Sequence, residues 1–257
     1  VLVLLDAQNL TEQSRISLDA PRGITGIAAD PSGDVLYAAC EKGGLKIVNT
    51  TDKDNPSLYT SVENDGDGDP IEATALDLGA MGTFVYLADN TFGLRIIDVS
   101  SPGSPSFFDE YEEVSRYTDE EGEEATVSGG YVNVRIGGNE ELAFILDQYR
   151  GLRILDISDT PSDISQLDQF DMRSGLYLGQ LSEVVDLTID EKYVYVSDAA
   201  YGVAILDYLS DQQQPGTVII EKEGQIKSAG RASGICLSGD GETLFLADGN
   251  AGLLVAD

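Results

Sequence analysis

The stretch Gly93-Leu94-Arg95-Ile96-Ile97-Asp98 decides the fold, because the same phrase returns along the whole chain. It reads Gly44-Leu45-Lys46-Ile47-Val48-Asn49 before it, and Gly151-Leu152-Arg153-Ile154-Leu155-Asp156 after it. It returns again as Gly202-Val203-Ala204-Ile205-Leu206-Asp207 and Gly252-Leu253-Leu254-Val255-Ala256-Asp257. The glycines stand 49, 58, 51 and 50 residues apart. A short apolar run opened by Gly and closed by an acid or amide reads as one strand. A strand that recurs at this period marks a β-propeller or a related array.

Working outward, each phrase is the third strand of a four-strand unit. The first strands are Ile24 to Ala29, Ala73 to Leu78, Tyr131 to Ile136, Val184 to Ile189 and Ala232 to Leu237. Turns rich in Gly, Asp, Asn or Pro follow, such as Asp30-Pro31-Ser32-Gly33-Asp34 and Ser238-Gly239-Asp240-Gly241. The second strands include Val35 to Ala39, Val85 to Asp89 and Tyr193 to Asp198, and Ser106 to Tyr111 reads as a fourth. Four antiparallel strands cannot bury both faces alone, whereas stacking sheets in a ring does.

The expected architecture is therefore one all-β propeller domain over residues 1–257. Its repeat units run at about 20–70, 71–126, 127–180, 181–228 and 229–257, the last completed by 1–19. Five blades of four antiparallel strands are expected, with the ring closed by shared N- and C-terminal strands. Val1-Leu2-Val3-Leu4-Leu5-Asp6 repeats the third-strand phrase without its Gly, and that redundancy keeps six blades as the alternative.

Composition narrows the chemistry. Of 257 residues, 46 are Asp or Glu and 15 are Lys or Arg, a net charge of −31. A field of that sign repels nucleic acid and anionic lipid and attracts cations or basic partners. Neither His nor Trp is present, which removes most zinc, haem and His-based nucleophile schemes. Cys40 and Cys236 read as small strand thiols. A disulfide between them stays open, because a closed ring makes the first and last units neighbours. No apolar stretch approaches the roughly 20 residues that span a bilayer. The chain opens inside a strand without Met, as a mature product or a portion of something larger would.

The units resemble a known family. Asn90 to Pro105, with Gly93 to Asp98 at its centre and Val99-Ser100-Ser101-Pro102 behind it, is similar to the LVIVD repeat. So is Gln148 to Pro161. The first unit departs with Asn49-Thr50-Thr51-Asp52 and a delayed Pro56, and the fourth has Tyr208-Leu209-Ser210-Asp211 with Pro215 late. The resemblance implies a β-propeller of the kind found in secreted and cell-surface proteins of bacteria and archaea. It carries no catalytic motif, so no functional residue is transferred from it.

Three places could hold chemistry. The third and fifth positions of the first strands break the apolar pattern and would face a central channel. Their polar members are Asp77, Asn133, Arg135, Asp186 and Thr188. They read either as an ion-pair network with Arg135 between carboxylates, or as a seat for a cation or small polar ligand. Asn64-Asp65-Gly66-Asp67-Gly68-Asp69 puts carboxylates at alternate positions, a spacing that calcium loops use. Asp65, Asp67 and Asp69 are thus candidate calcium ligands, although the twelfth position is Leu76 and no helices flank the run. The long insert Asp109 to Thr126 carries Asp119-Glu120-Glu121-Gly122-Glu123-Glu124 and reads as a solvated loop where a basic partner could dock.

The expected function is a non-catalytic, secreted or cell-surface binding or scaffold module, with calcium as the candidate stabilising cofactor. Its expected partner is a protein, or another copy, that is basic or bridged by cations. Nucleic acid and membrane insertion are not expected. The alternative is a glycoside hydrolase-like enzyme using Asp77 and Asp186 at a channel mouth, a chemistry that needs no His.

Overall fold

Each recurring phrase opens on a glycine because the backbone there turns through positive φ. The angle is 61° at Gly44, 128° at Gly93, 90° at Gly151, 95° at Gly202 and 90° at Gly252. A Cβ at Gly44 would meet the Val62 carbonyl oxygen at 2.1 Å, and one at Gly202 would meet that of Ile226 at 2.2 Å. Only glycine accepts both the angle and the approach.

The computed structural model describes all residues except 7, 113–114, 119–123, 128–129, 138–140, 149–150, 159–163, 171–182, 211–217 and 257. The protein is an all-β, five-bladed β-propeller of antiparallel sheets, four of them four-stranded and the last three-stranded. No α-helix occurs among the described residues; Gly249–Ala251 forms a single 3-10 turn. The chain groups into two compact units, Val1–Glu112 and Glu113–Asp257.

The first unit opens with a two-stranded sheet, β1 (Leu2–Leu5) and β2 (Glu12–Ile16). The first full blade is β3 (Ile24–Ala29), β4 (Val35–Cys40), β5 (Gly44–Asn49) and β6 (Ser57–Val62), in that order. The second is β7 (Ala73–Leu78), β8 (Phe84–Asp89), β9 (Gly93–Asp98) and β10 (Ser106–Tyr111).

The second unit begins with a hairpin inside the predicted insert, β11 (Ser115–Thr118) paired with β12 (Glu124–Val127). The acidic run 119–123 lies outside the described residues. Then follow β13 (Tyr131–Gly137), β14 (Leu142–Asp147), β15 (Gly151–Asp156) and β16 (Ser165–Phe170) as one blade. The next is β17 (Val184–Ile189), β18 (Tyr193–Asp198), β19 (Gly202–Ser210) and β20 (Val218–Ile226). A three-stranded sheet ends the chain: β21 (Gly234–Leu237), β22 (Leu244–Ala247) and β23 (Leu253–Ala256).

The middle strands are buried on both faces, which explains why they read as continuous apolar runs rather than alternations. Core clusters lie between blades. Tyr37 packs with Val85 and Ile97 across the first pair of blades, and Phe144 with Val194 and Leu206 across the β13–β16 and β17–β20 blades. Each such side chain contributes about 1.5–3 kcal/mol on burial.

The first strands are not regular. A register shift interrupts the pairing of the first strand with the second in each of the four full blades: Ile24/Gly26, Ala73/Ala75, Tyr131/Asn133 and Val184/Asp186. These are β-bulges, and they re-aim the residue that follows. Thr25 and Thr74, the bulged residues of the first two blades, donate their hydroxyls to the Ala39 and Ala88 carbonyls of the neighbouring strand.

Candidate functional site

The bulge places Asn133 and Asp186 just after the kink of β13 and β17. Each turns its Oδ1 back to accept the next backbone N–H, Val134 at 2.7 Å and Leu187 at 2.9 Å. From there the two side chains meet, the Asn133 amide donating to Asp186 Oδ1. Asp186 Oδ2 accepts the Ile235 N–H of β21 at 3.0 Å. One carboxylate thus ties the inner strands of three successive sheets. Arg135 donates to Asn133 Oδ1 and to the Val134 carbonyl, both at 2.9 Å, and its Nη2 stands 3.5 Å from Asp186.

Of the five polar positions expected to converge, Asn133, Arg135 and Asp186 form this network within the second unit. Thr188 is a half-buried residue two places further along β17. Asp77 lies on β7 of the first unit, where its Oδ1 accepts the Leu78 N–H at 3.0 Å. The site is chemically a bracket: both Asp186 oxygens already accept N–H donors.

A second constellation was not singled out from the sequence. The second strand ends on Asp89, Asp147 or Asp198, or is followed directly by Asp248, always four residues before the phrase's glycine. Asp89 Oδ1 accepts the Thr91 and Phe92 N–H groups, and its Oδ2 accepts that of Glu72 ahead of the first strand. Asp198 repeats this with Ala200, Tyr201 and Glu183, and Asp248 holds Ala229 and Gly230. The recurring Asp-x-x-x-Gly spacing was the available signal. In the first blade Cys40 takes that place, and it is buried.

In two blades the same aspartate also neutralises a buried cation two positions into the phrase. Arg95 Nε donates to Asp89 Oδ2 at 3.0 Å, and Arg153 Nε to Asp147 Oδ2 at 3.1 Å. Arg95 also bonds Asp65 at 2.7 Å and Glu110 at 2.9 Å, and its guanidinium lies 4.4 Å from the centre of the Phe92 ring. Arg153 donates to Gln166 Oε1 at 2.8 Å. In the first blade Lys46 stands at that position and pairs with Glu63 at 2.6 Å.

Arg95 changes the reading of the acidic loop. Asp65 Oδ2 is its partner, and Asp65 Oδ1 accepts the N–H groups of Asp67 and Asp69. Burial raises the Asp65 carboxyl, but the Arg95 hydrogen bond and the two N–H groups outweigh it and hold the group below its usual range. Glu110 goes the other way: burial lifts it against the pull of Arg95, with Asp65, Glu112 and Asp67 adding to the rise. Of the three candidate calcium ligands Asp65, Asp67 and Asp69, the first is thus engaged as a strut. Among the described residues no three Cys, Asp or Glu side chains are grouped to hold a metal ion. Cys40 and Cys236 are free thiols, the first buried and the second exposed.

Residues 73–113, 129–167 and 183–219 match the LVIVD repeat, so the fourth unit carries it despite its late proline. No curated protein matches the chain in sequence. Among solved structures it is similar to the β-propeller domain of Cps50 (Swd1) from Myceliophteria thermophila. The TM-score is 0.67 at 15% identity, over 98% of this chain and 75% of that one. It is also similar to the periplasmic gluconolactonase PpgL of Pseudomonas aeruginosa, with a TM-score of 0.66 at 10% identity, over 90% of this chain and 65% of that one. At such identities the likeness is one of fold.

Proposed function

The protein is a β-propeller built with LVIVD repeats, and on that premise we propose that it is a non-catalytic binding and scaffold module. In this reading it is secreted or displayed at the cell surface, and it meets a basic protein partner through its acidic exterior. The observation that carries the reading is the state of Asp186. A glycosidase carboxylate must offer a free oxygen to a leaving group, a water or an anomeric carbon. Asp186 instead accepts from Asn133, Leu187 and Ile235, and Arg135 stands beside it. Groups so engaged organise a fold. The net charge of −31 supports a basic partner and opposes nucleic acid or anionic lipid.

Two measurements test this together. Fractionation of the source cells, with protease added from outside, should find the chain surface-exposed or released. A panel of glycosides and lactones should show no turnover by the purified protein. Turnover that Asp186→Asn abolishes without unfolding the protein would overturn the reading in favour of the hydrolase.

A further inference from the structure

One aromatic residue recurs seven places before the glycine of every phrase: Tyr37, Tyr86, Phe144, Tyr195 and Phe245. Tyr37, Tyr86 and Phe144 are at most 2% exposed. In the first unit Tyr37 is covered by Val85 and Ile97 of the following blade. In the second, Phe144 is covered by Val194 and Leu206, with Tyr208 edge-on at 4.9 Å. Tyr195 breaks the series. It is only half-buried, and it lines a cavity of about 260 Å³ between the β17–β20 blade and the β21–β23 sheet.

One difference between the Phe144 and Tyr195 surroundings is a side chain of the recurring phrase. The fifth residue of the recurring phrase is Val48, Ile97, Leu155 and Leu206, and then Ala256. Ala256 therefore stands over Tyr195 where Leu206 stands over Phe144, and it lines the cavity. A missing branched side chain leaves a void where the surroundings cannot collapse.

The void is apolar within and acidic at its edge. Tyr193 and Tyr195 meet edge to face with ring centres 6.2 Å apart, and buried Leu244 forms another wall. The exposed Glu223 and Glu242 complete the lining, to which no described basic residue contributes. The Tyr195 hydroxyl is engaged, donating to Asp190 Oδ2 at 2.9 Å. The Tyr193 ring already attracts a cation: Lys192 Nζ lies 4.4 Å from its centre, held by Asp207 at 3.2 Å, and lines an adjoining cavity instead. At 260 Å³ the space lies below the ~300–1,000 Å³ of drug-sized pockets, so its occupant is small.

We propose that this cavity is a binding site for small organic cations of the arylalkyl-ammonium class. The apolar body fills the place that Leu206 fills over Phe144, and the ammonium rests against Glu223, Glu242 and the tyrosine faces. This proposal does not depend on the scaffold reading.

The probe is phenethylammonium chloride, with 2-phenylethanol as its neutral shape match, followed by NMR shift perturbation on the full chain. The expected result is saturable shifts around Tyr195, Leu244 and Ala256. Ala256→Leu should raise the melting temperature and weaken phenethylammonium about tenfold or more, the scale of one lost apolar side-chain contact. Ala256→Val, a smaller fill, is run beside it so that a folding failure of one variant leaves the test intact. The double change Glu223→Gln and Glu242→Gln should weaken the cation about fivefold and leave the alcohol unchanged. Equal binding of cation and alcohol would overturn the proposal. So would binding that both Ala256 variants retain, or shifts that never saturate.

Discussion

Asp89 Oδ2 lies 3.0 Å from Arg95 Nε, and neither side chain exposes any surface. That single contact joins two kinds of stabilisation, because Asp89 also caps the N–H groups of Glu72, Thr91 and Phe92. Asp89→Ala leaves the buried Arg95 Nε and three N–H donors unpaired together, while Asp65 and Glu110 still neutralise the guanidinium. Removing one partner of a buried pair costs about 3–5 kcal/mol, and urea denaturation should show a loss of that size. Arg95→Lys should cost less, since the first blade already works with Lys46 at the same position, paired to Glu63.

Glycines of the phrase separate strain from crowding. Gly202 and Gly252 have similar φ, 95° and 90°, but different surroundings. A Cβ at Gly202 would meet the Ile226 carbonyl at 2.2 Å, whereas at Gly252 nothing lies within 4 Å. Gly252→Ala should therefore cost only the backbone strain, about 1–3 kcal/mol. Gly202→Ala should cost clearly more, and equal losses for the two variants would contradict the packing.

The blades were legible because their signal is local and repeated. A glycine, an alternation and a closing acid need no knowledge of distant contacts. The bulge after Tyr131 or Val184 was not legible, since a register shift belongs to a strand pair and leaves no mark on one strand. Asn133, Arg135 and Asp186 were picked out by position, because polar residues interrupt an apolar face there. Their roles were not, for Asp186 depends on the Ile235 N–H, 49 residues away. The Asp65 ion pair was hidden for a related reason. Asp65 stands at a spacing to Asp67 and Asp69 that suits a hard cation, but Arg95, 30 residues on, reaches it first.

Acid stability should carry two opposed contributions from this unit. Asp65 titrates below its ordinary 3.8 in the folded protein, so its contribution is complete above that value and is lost as pH falls through the depressed one. Glu110 titrates above its ordinary 4.5, so the fold holds its proton more firmly than the unfolded chain does. That contribution is complete below 4.5 and is lost as pH rises through the elevated value. Asp65→Asn should flatten the dependence below about pH 4, and Glu110→Gln the dependence just above pH 4.5. Urea midpoints measured from pH 3 to 7 would separate the two variants.

Calcium should not set the stability of the first unit. An ion at Asp65, Asp67 and Asp69 would compete for Asp65 with Arg95 and the two loop N–H groups. A ligand that binds only the native state raises the melting point with its concentration. Melting curves in chelator and in millimolar calcium should coincide, and a calcium-dependent rise abolished by Asp67→Asn would show the loop to be a site.

The chain offers an optical reading of its buried tyrosines, those of the β17–β20 blade and Tyr37 of the first blade among them, because it contains 12 Tyr and no Trp. Burial, then the hydrogen bond to Asp190, pushes the Tyr195 phenol up to about 12. Burial, then the charges of Asp190, Glu191 and Asp207, pushes Tyr208 to about 12 as well. Both groups favour the folded state while protonated, so their contribution is complete below the ordinary value of 10 and is lost as pH rises towards 12. Tyrosinate absorbance should therefore rise in two stages, the late one coinciding with loss of the fold. Tyr195→Phe should remove one phenol from the late stage and leave the early stage unchanged. A single wave centred near 10 would mean that the Asp190 contacts of Tyr195 and Tyr208 do not form in solution.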